Sequence, residues 1–240
     1  MKTIKTIVIT MLLGLFTQAM FSQDYTKDVI PTDNGDLEIT FIKHATLMMQ
    51  YNDIVIHIDP VSMFGTDYSK MPKADIILIT HEHPDHLDAK AIEQISTDKT
   101  VLIENEGSYK SLGKGEVMAN GDSRTVDGIS IDAVPAYNIS APNHPKGAGN
   151  GYVLQFSDTK VYIAGDTENI SEMSDLKDID IAFLPMNKPF TMSPMQVAEA
   201  AERIHPKILY PYHYSQTNPE ELVRLLRNDS DIEVRIRQMQ

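Results

Sequence analysis

Apolar and polar residues alternate with period two in many short runs of this chain and show helical spacing in only a few. Leu37 to Ile42, Thr46 to Gln50 and Ile54 to Ile58 read as three strands, the last two joined by the turn Tyr51-Asn52-Asp53. Asp59-Pro60 ends the third, and a loop rich in Ser, Gly, Asp and Pro runs from Val61 to Lys73. The apolar run from Asp75 to Thr80 predicts a further strand. Ala89 to Ile95 has helical composition with Asp88 as a candidate N-cap, and Val101 to Ile103 returns to strand.

The second half has the same texture. Asn120-Gly121-Asp122 is a turn before the alternating run Ile129 to Val134, and Tyr152 to Phe156 pairs with Lys160 to Ile163 across Ser157-Asp158-Thr159. Ile179 to Leu184 reads as a buried strand. Ser193-Pro194 opens a helix through Ile204, because serine suits the N-cap and proline the first helical position. Asn218-Pro219 repeats that signal for a helix through Arg227, and Ile232 to Ile236 closes the chain as a strand. No short-period repeat or low-complexity segment interrupts this order. Strands early and strands mixed with helices late predict an α/β (α+β) protein, two packed sheets with helices outside.

The first 22 residues stand apart. Lys2 and Lys5 precede an apolar run from Ile7 to Phe16, then small and polar residues to Ser22-Gln23. This is the pattern of a secretory signal peptide over residues 1–22, with an apolar stretch short for a membrane span. The expected protein is therefore exported, periplasmic or secreted, with no transmembrane segment in the mature chain and a single domain over 23–240. An uncleaved anchor is the competing reading. The chain has no cysteine, so neither a disulfide framework nor a lipidated cysteine is available, and an exported domain must be held by its core.

Acidic residues outnumber basic ones 34 to 21, for a net charge of −13, and loss of the lysine-bearing leader makes the remainder more acidic. Such a surface repels phosphate backbones and offers no basic cluster, so nucleic acid is excluded as the expected partner. Acidity by itself needs no partner beyond water. A small-molecule or lipid-like substrate is expected, and homo-oligomerisation is left open.

Chemistry enters at His81-Glu82-His83-Pro84-Asp85-His86, directly after the predicted strand 75–80. Neutral imidazole is the commonest ligand for zinc-like metals and carboxylate is its usual companion. A strand that delivers such a cluster to a loop fixes it on rigid backbone. Glu82, between ligands on extended backbone, should point the other way. His57 alternates within an apolar strand and reads as structural, and His205 as a cation at the end of a helix.

The segment Thr80 to Asp88 resembles the signature of the metallo-β-lactamase fold superfamily of metal-dependent hydrolases. Later segments match in order: His144-Pro145-Lys146-Gly147 at the place of an isolated histidine, Ala164-Gly165-Asp166-Thr167 at that of a bridging aspartate, and Pro211-Tyr212-His213 at that of a final histidine. Lys43-His44-Ala45-Thr46 and Ile58-Asp59-Pro60 resemble the group that includes ascorbate-6-phosphate lactonase and the N-acyl-phosphatidylethanolamine phospholipase D type enzymes. The resemblance spans about Leu37 to His213 and implies a four-layer αββα sandwich.

The resemblance also implies a ligand set. His81, His83 and His144 would hold one divalent metal ion, Asp85, His86 and His213 a second, and Asp166 would bridge them, with Asp85 also the candidate catalytic carboxylate. His44, Asp59, Asp88 and Thr167 are candidates for orienting ligands or touching substrate. Zinc is the default from the ligand types, with manganese or iron as alternatives. Two such ions about 3.5–4 Å apart can share a hydroxide that attacks an ester, lactone, amide or phosphodiester. The competing readings are a mononuclear iron dioxygenase-like protein, a non-catalytic metal-binding protein on the same fold and, ranked last, a β-lactamase. Asn138, Lys146 and Lys188 read as solvated loop residues beside the expected rim. The methionines read either as core filler or as part of an apolar entrance.

Overall fold

The structure is a computed structural model that describes residues 25–229 and 231–239, so the signal-like segment lies outside the described residues. Seven strands form the first sheet in chain order: β1 (Thr26–Thr32), β2 (Gly35–Lys43), β3 (Thr46–Tyr51), β4 (Ile54–Ile58), β5 (Ile76–Leu78), β6 (Val101–Glu104) and β7 (Glu116–Val117). A second sheet is built likewise from β8 (Ser123–Val126), β9 (Ile129–Ala136), β10 (Gly149–Phe156), β11 (Thr159–Ile163), β12 (Ile181–Pro185), β13 (Ile208–Tyr212) and β14 (Glu233–Val234). In each sheet the first four strands pair antiparallel and the last three run parallel. The repeated texture of the sequence is thus a repeated topology.

Tight turns fix the register of the antiparallel parts. Tyr51 pairs with Ile54 across Asn52 and Asp53, and Phe156 with Thr159 across Ser157 and Asp158. Val126 pairs with Ile129 across Asp127-Gly128, both with positive φ, the backbone a two-residue hairpin requires.

Period-two side chains close the space between the sheets. Ile39, Phe41, Leu47, Met49 and Ile58 from the first sheet meet Tyr152, Leu154, Ile163, Phe183 and Tyr210 from the second, all fully buried or nearly so. Helices cover the outer faces. Ala91, Ile92 and Ile95 of α1 (Ala89–Ile95) pack on Ile77 and Ile79. A short helix, α2 (Glu106–Leu112), follows β6. Val197, Ala200, Ala201 and Ile204 of α3 (Pro194–Ile204) pack with Ala182, Leu184 and Leu209, joined by Leu222 of α4 (Glu220–Leu225). The four layers are those of an αββα sandwich.

Several elements differ from the sequence expectation. β1, β7, β8, β13 and α2 are additional, α4 stops at Leu225 rather than Arg227, and the closing strand shrinks to Glu233–Val234. α3 starts as expected, on a reciprocal cap between Ser193 and Gln196. His57 is buried with Nε2 bonded to Pro72 O at 3.1 Å, a structural role. His205 caps the end of α3 in a left-handed conformation.

Candidate metal centre

Strands β2, β4, β5, β9, β11 and β13 all end at one edge of the sandwich, and the loops they feed carry every candidate ligand. Two backbone hydrogen bonds lock the sheets together there: Asn150 N–H to Thr80 O at 2.9 Å and His213 N–H to His44 O at 3.0 Å. His44, Asp59 and His213 have φ values of 56°, 46° and 47°. Left-handed backbone at residues with a side chain costs of order 1–3 kcal/mol each and is kept where the surroundings enforce it. Gly165, just before Asp166, is also left-handed, and a Cβ there would stand 2.8 Å from Asn150 O. The turn that presents Asp166 therefore needs glycine.

The side chains form two groups. His83 Nδ1 lies 3.1 Å from His81 Nε2 and 3.2 Å from His144 Nε2. Ligands on a tetrahedral ion at ~2.0–2.1 Å are roughly 3.3 Å apart, so these spacings suit one ion. Asp85, His86 and His213 make the other group, with Asp85 Oδ2 3.8 Å from His86 Nε2 and 3.4 Å from His213 Nε2. Asp166 stands between the groups: Oδ2 is 3.3 Å from His144 Nε2 and 3.4 Å from His213 Nε2, and Oδ1 is 3.4 Å from His86 Nε2. His44 Nε2 joins the second group by donating to Asp85 Oδ2 at 3.2 Å.

Buried atoms left without partners show what this arrangement lacks. His86 Nε2, His213 Nε2 and Asp166 Oδ1 are shielded from solvent, yet none makes a hydrogen bond. An unmatched buried polar atom costs ~1–3 kcal/mol, and convergent orphans on imidazole and carboxylate are the donors a divalent cation satisfies. The residues present fit such an ion.

Outer contacts decide which ring nitrogen faces inward. Asp59 Oδ2 accepts from His86 Nδ1 at 2.7 Å, which leaves Nε2 bare toward the site. Asp59 also accepts from Thr80 N–H and Thr80 Oγ–H, and the Thr80 hydroxyl oxygen then accepts from His81 Nδ1 at 3.0 Å. Asn138 Oδ1 accepts from His144 Nδ1, and its own amide donates to Phe190 O at 2.9 Å. Each ring is thereby held in the tautomer that offers its lone pair to a metal. Electrostatics agree for His81 and His44, whereas Asp166 and Asp59 raise the pKa of His86 against its burial. Burial lowers the pKa of His81 and of His44, keeping both rings neutral. Burial works against a charge on Asp85, but the neighbouring His213 and His44 rings hold it well below the usual carboxylate range.

The remaining sequence candidates sort clearly. Thr167 is buried and ties the Asp166 turn to both the N–H and the C=O of Tyr137, so it braces the loop that carries Asn138. Asp88 is a correction: one oxygen caps α1 at Lys90 and Ala91, and the other takes the Ser62 N–H and hydroxyl. It tethers a loop and makes no bond to a ligand. Glu82 accepts from Asn105 Nδ2, away from the donor groups. Asn138 corrects in the other direction, being buried and bonded to a ligand instead of solvated. Lys146 and Lys188 pair with Glu172 and Glu168 at 2.6 and 2.5 Å. Thr80 was not singled out, because a threonine at a strand end carries no distinctive sequence signal.

A sandwich of two mixed sheets with a double histidine–aspartate donor set at one edge is the architecture of the metallo-β-lactamase fold. Comparison with known proteins agrees. The profile of the beta-lactamase superfamily domain matches residues 38–213. A UPF0173 metal-dependent hydrolase of Thermococcus kodakarensis is 30% identical over 213 residues, covering 82% of this chain and 95% of that protein. The crystal structure of a proposed metal-dependent hydrolase from Parabacteroides distasonis superposes with a TM-score of 0.88 at 54% identity, covering 90% of this chain and 100% of that one. Igni18, a metallo hydrolase of Ignicoccus hospitalis, shares the fold at 22% identity and a TM-score of 0.71, covering 85% of this chain and 95% of that one. The chain belongs to the beta-lactamase superfamily and, within it, to the UPF0173 metal-dependent hydrolases.

Proposed function

We propose that this metal-dependent hydrolase works with two divalent ions, zinc by ligand type, and cleaves an ester, lactone, amide or phosphodiester bond in a small molecule. The observation that carries this reading is the position of Asp166, with His81, His83 and His144 on one side and Asp85, His86 and His213 on the other. Bound divalent ions would supply a water of lowered pKa as nucleophile and a Lewis acid for the scissile carbonyl or phosphoryl oxygen.

The chain's own residues do the rest. His81, His83 and His144 would hold the first ion, with Asp166 beside them. Asp59, Thr80 and Asn138 keep the rings aimed. Asp85, with its side chain 32% exposed, is open to an incoming substrate, and His44 holds it by donating from Nε2. A cavity of about 270 Å³ opens on His83, Asp85, Asp166 and His213. That access favours catalysis over metal storage.

The apolar segment within residues 1–22 supports export of the mature enzyme, which the N-terminal sequence of protein recovered from a secreting host would establish. No helix among the described residues is long and apolar enough to cross a membrane. The activity is tested with chelator-stripped protein against a panel of lactones, phosphodiesters, amides and β-lactams. Stripped protein should be inactive on every compound, and zinc, manganese or iron should restore hydrolysis of at least one class. Equal turnover before and after stripping would remove the metal from the mechanism.

A further inference from the structure

Exposed apolar side chains stand on three of the loops that border the metal cavity. Phe190, 46% exposed, lines the cavity from the loop after β12. Phe64, 37% exposed, lies with its ring centroid 4.7 Å from that of His44, a cavity-lining residue, and Met63 beside it in sequence is 61% exposed. Ile139, 66% exposed, stands on the β9–β10 loop that also delivers Asn143 and His144 to the cavity wall. The other large exposed apolar residues, Val29, Tyr109, Val117, Met195 and Val223, lie singly on β1, α2, β7, α3 and α4. Scattered residues of that kind are ordinary, whereas apolar side chains gathered around a concave opening mark a binding surface.

Charge at the same mouth points the same way. Two lysines on its loops are paired with carboxylates, Lys146 with Glu172 and Lys188 with Glu168. Glu168 is itself buried and also accepts from the N–H groups of Ile139 and Ser140, so Lys188 belongs to a closed network that fixes two rim loops. Neither lysine is offered to an anionic substrate tail. The cavity, about 270 Å³, is just below the ~300–1,000 Å³ of pockets that enclose drug-sized ligands.

Resting on the hydrolase reading above, we infer that the substrate is a small soluble acyl compound, an ester, lactone or amide, whose uncharged apolar chain or ring lies against Phe64, Ile139 and Phe190. The scissile carbonyl would then enter past Asp85 while the apolar portion stays at the rim. Hydrolysis adds water across the acyl bond and gives a carboxylic acid plus an alcohol or amine, with no other reactant. Each methylene fully buried raises affinity roughly fourfold, so even a partly covered chain should produce a clear length dependence.

The test uses zinc-loaded protein with p-nitrophenyl acetate and octanoate, and measures acetate and octanoate binding by calorimetry as a readout independent of turnover. The octanoyl compound is expected to be preferred at least tenfold in kcat/KM, or in affinity if no ester is cleaved. In a Phe64→Ser/Phe190→Ser variant that ratio should fall toward one, and in a Val223→Ser control it should not change. Circular dichroism checks that the variant is folded; if it is not, Ile139→Ser, at a more exposed position, replaces it. A ratio near one in the native protein in both readouts overturns the inference. So does co-sedimentation with phosphatidylcholine vesicles without chain-length preference for monomeric compounds, which would assign the rim to a lipid surface. Absence of ester cleavage with retained chain-length-dependent binding counts against the hydrolytic reading for esters and leaves the apolar specificity standing.

Discussion

Replacing Asp166 by alanine should lower kcat/KM by at least ~10³-fold, because even an outer partner of a metal ligand typically contributes 10–100-fold. Asp166 is the carboxylate that reaches both donor groups, through Oδ2 to His144 and His213 and through Oδ1 to His86. Its removal leaves the imidazoles of the two groups facing one another with no anion between them, and any two cations brought there would repel across an empty gap. Burial opposes its charge, but His213 and His86 hold its pKa well below the usual value, so it is anionic at any working pH. Steady-state kinetics on folded variant protein measure the effect. Activity within tenfold of the native level would mean that Asp166 does not join the two groups.

The second large effect concerns stability. Glu104, at the end of β6, is 0% exposed, and neither carboxyl oxygen has a hydrogen-bond partner. It fits only because Gly115, with φ of 111°, has no side chain where the carboxyl sits. Burial raises its pKa from 4.5 to about 7, partly offset by the Lys114 charge. A carboxyl with a higher pKa in the folded than in the unfolded chain binds more protons when folded between those two values. Its contribution is therefore fully present below about pH 4.5 and is lost as the pH rises through 7. Glu104→Gln, which cannot ionise, should gain ~2–3 kcal/mol over the native protein between pH 4.5 and pH 8. Urea unfolding of both proteins at the two pH values measures this. An equal difference at both pH values would show that burial does not raise the pKa of Glu104.

The ligands were readable from sequence because His81, His83, Asp85 and His86 sit within six residues, and because the segments around His144, Asp166 and His213 follow in an order that a known family shares. The division into two groups was implied by that resemblance. What the sequence hid depends on tertiary placement. Thr80 acts through Asp59 at the end of a neighbouring strand and Asn138 through His144 and the Phe190 loop, and neither residue type advertises such a role. Asp88 carried a plausible second use that the helix cap and Ser62 absorb.

The fold was legible in its long apolar runs and weaker at its edges. β13 was missed although it is buried along its length, since Pro211 reads as a strand breaker; it is accommodated opposite Leu184 in a parallel pair. β1 mixes Lys27, Asp28 and Pro31 with its few apolar residues, as an edge strand does. β8 was announced only by Asp127-Gly128, the turn that joins it to β9. α2 lacks an apolar stripe and depends on its ends, Asn105 as N-cap and Gly113 in left-handed conformation after Leu112.

The central claim is that the seven donors make two ion sites sharing one carboxylate. Titration of metal-free protein with zinc, with bound metal counted per chain by mass spectrometry of the intact complex, tests it most directly. Two ions should bind to the native chain and one to Asp85→Ala/His86→Ala, which keeps His81, His83 and His144. A native chain that saturates at one ion, or a double variant that still binds two, would contradict the account.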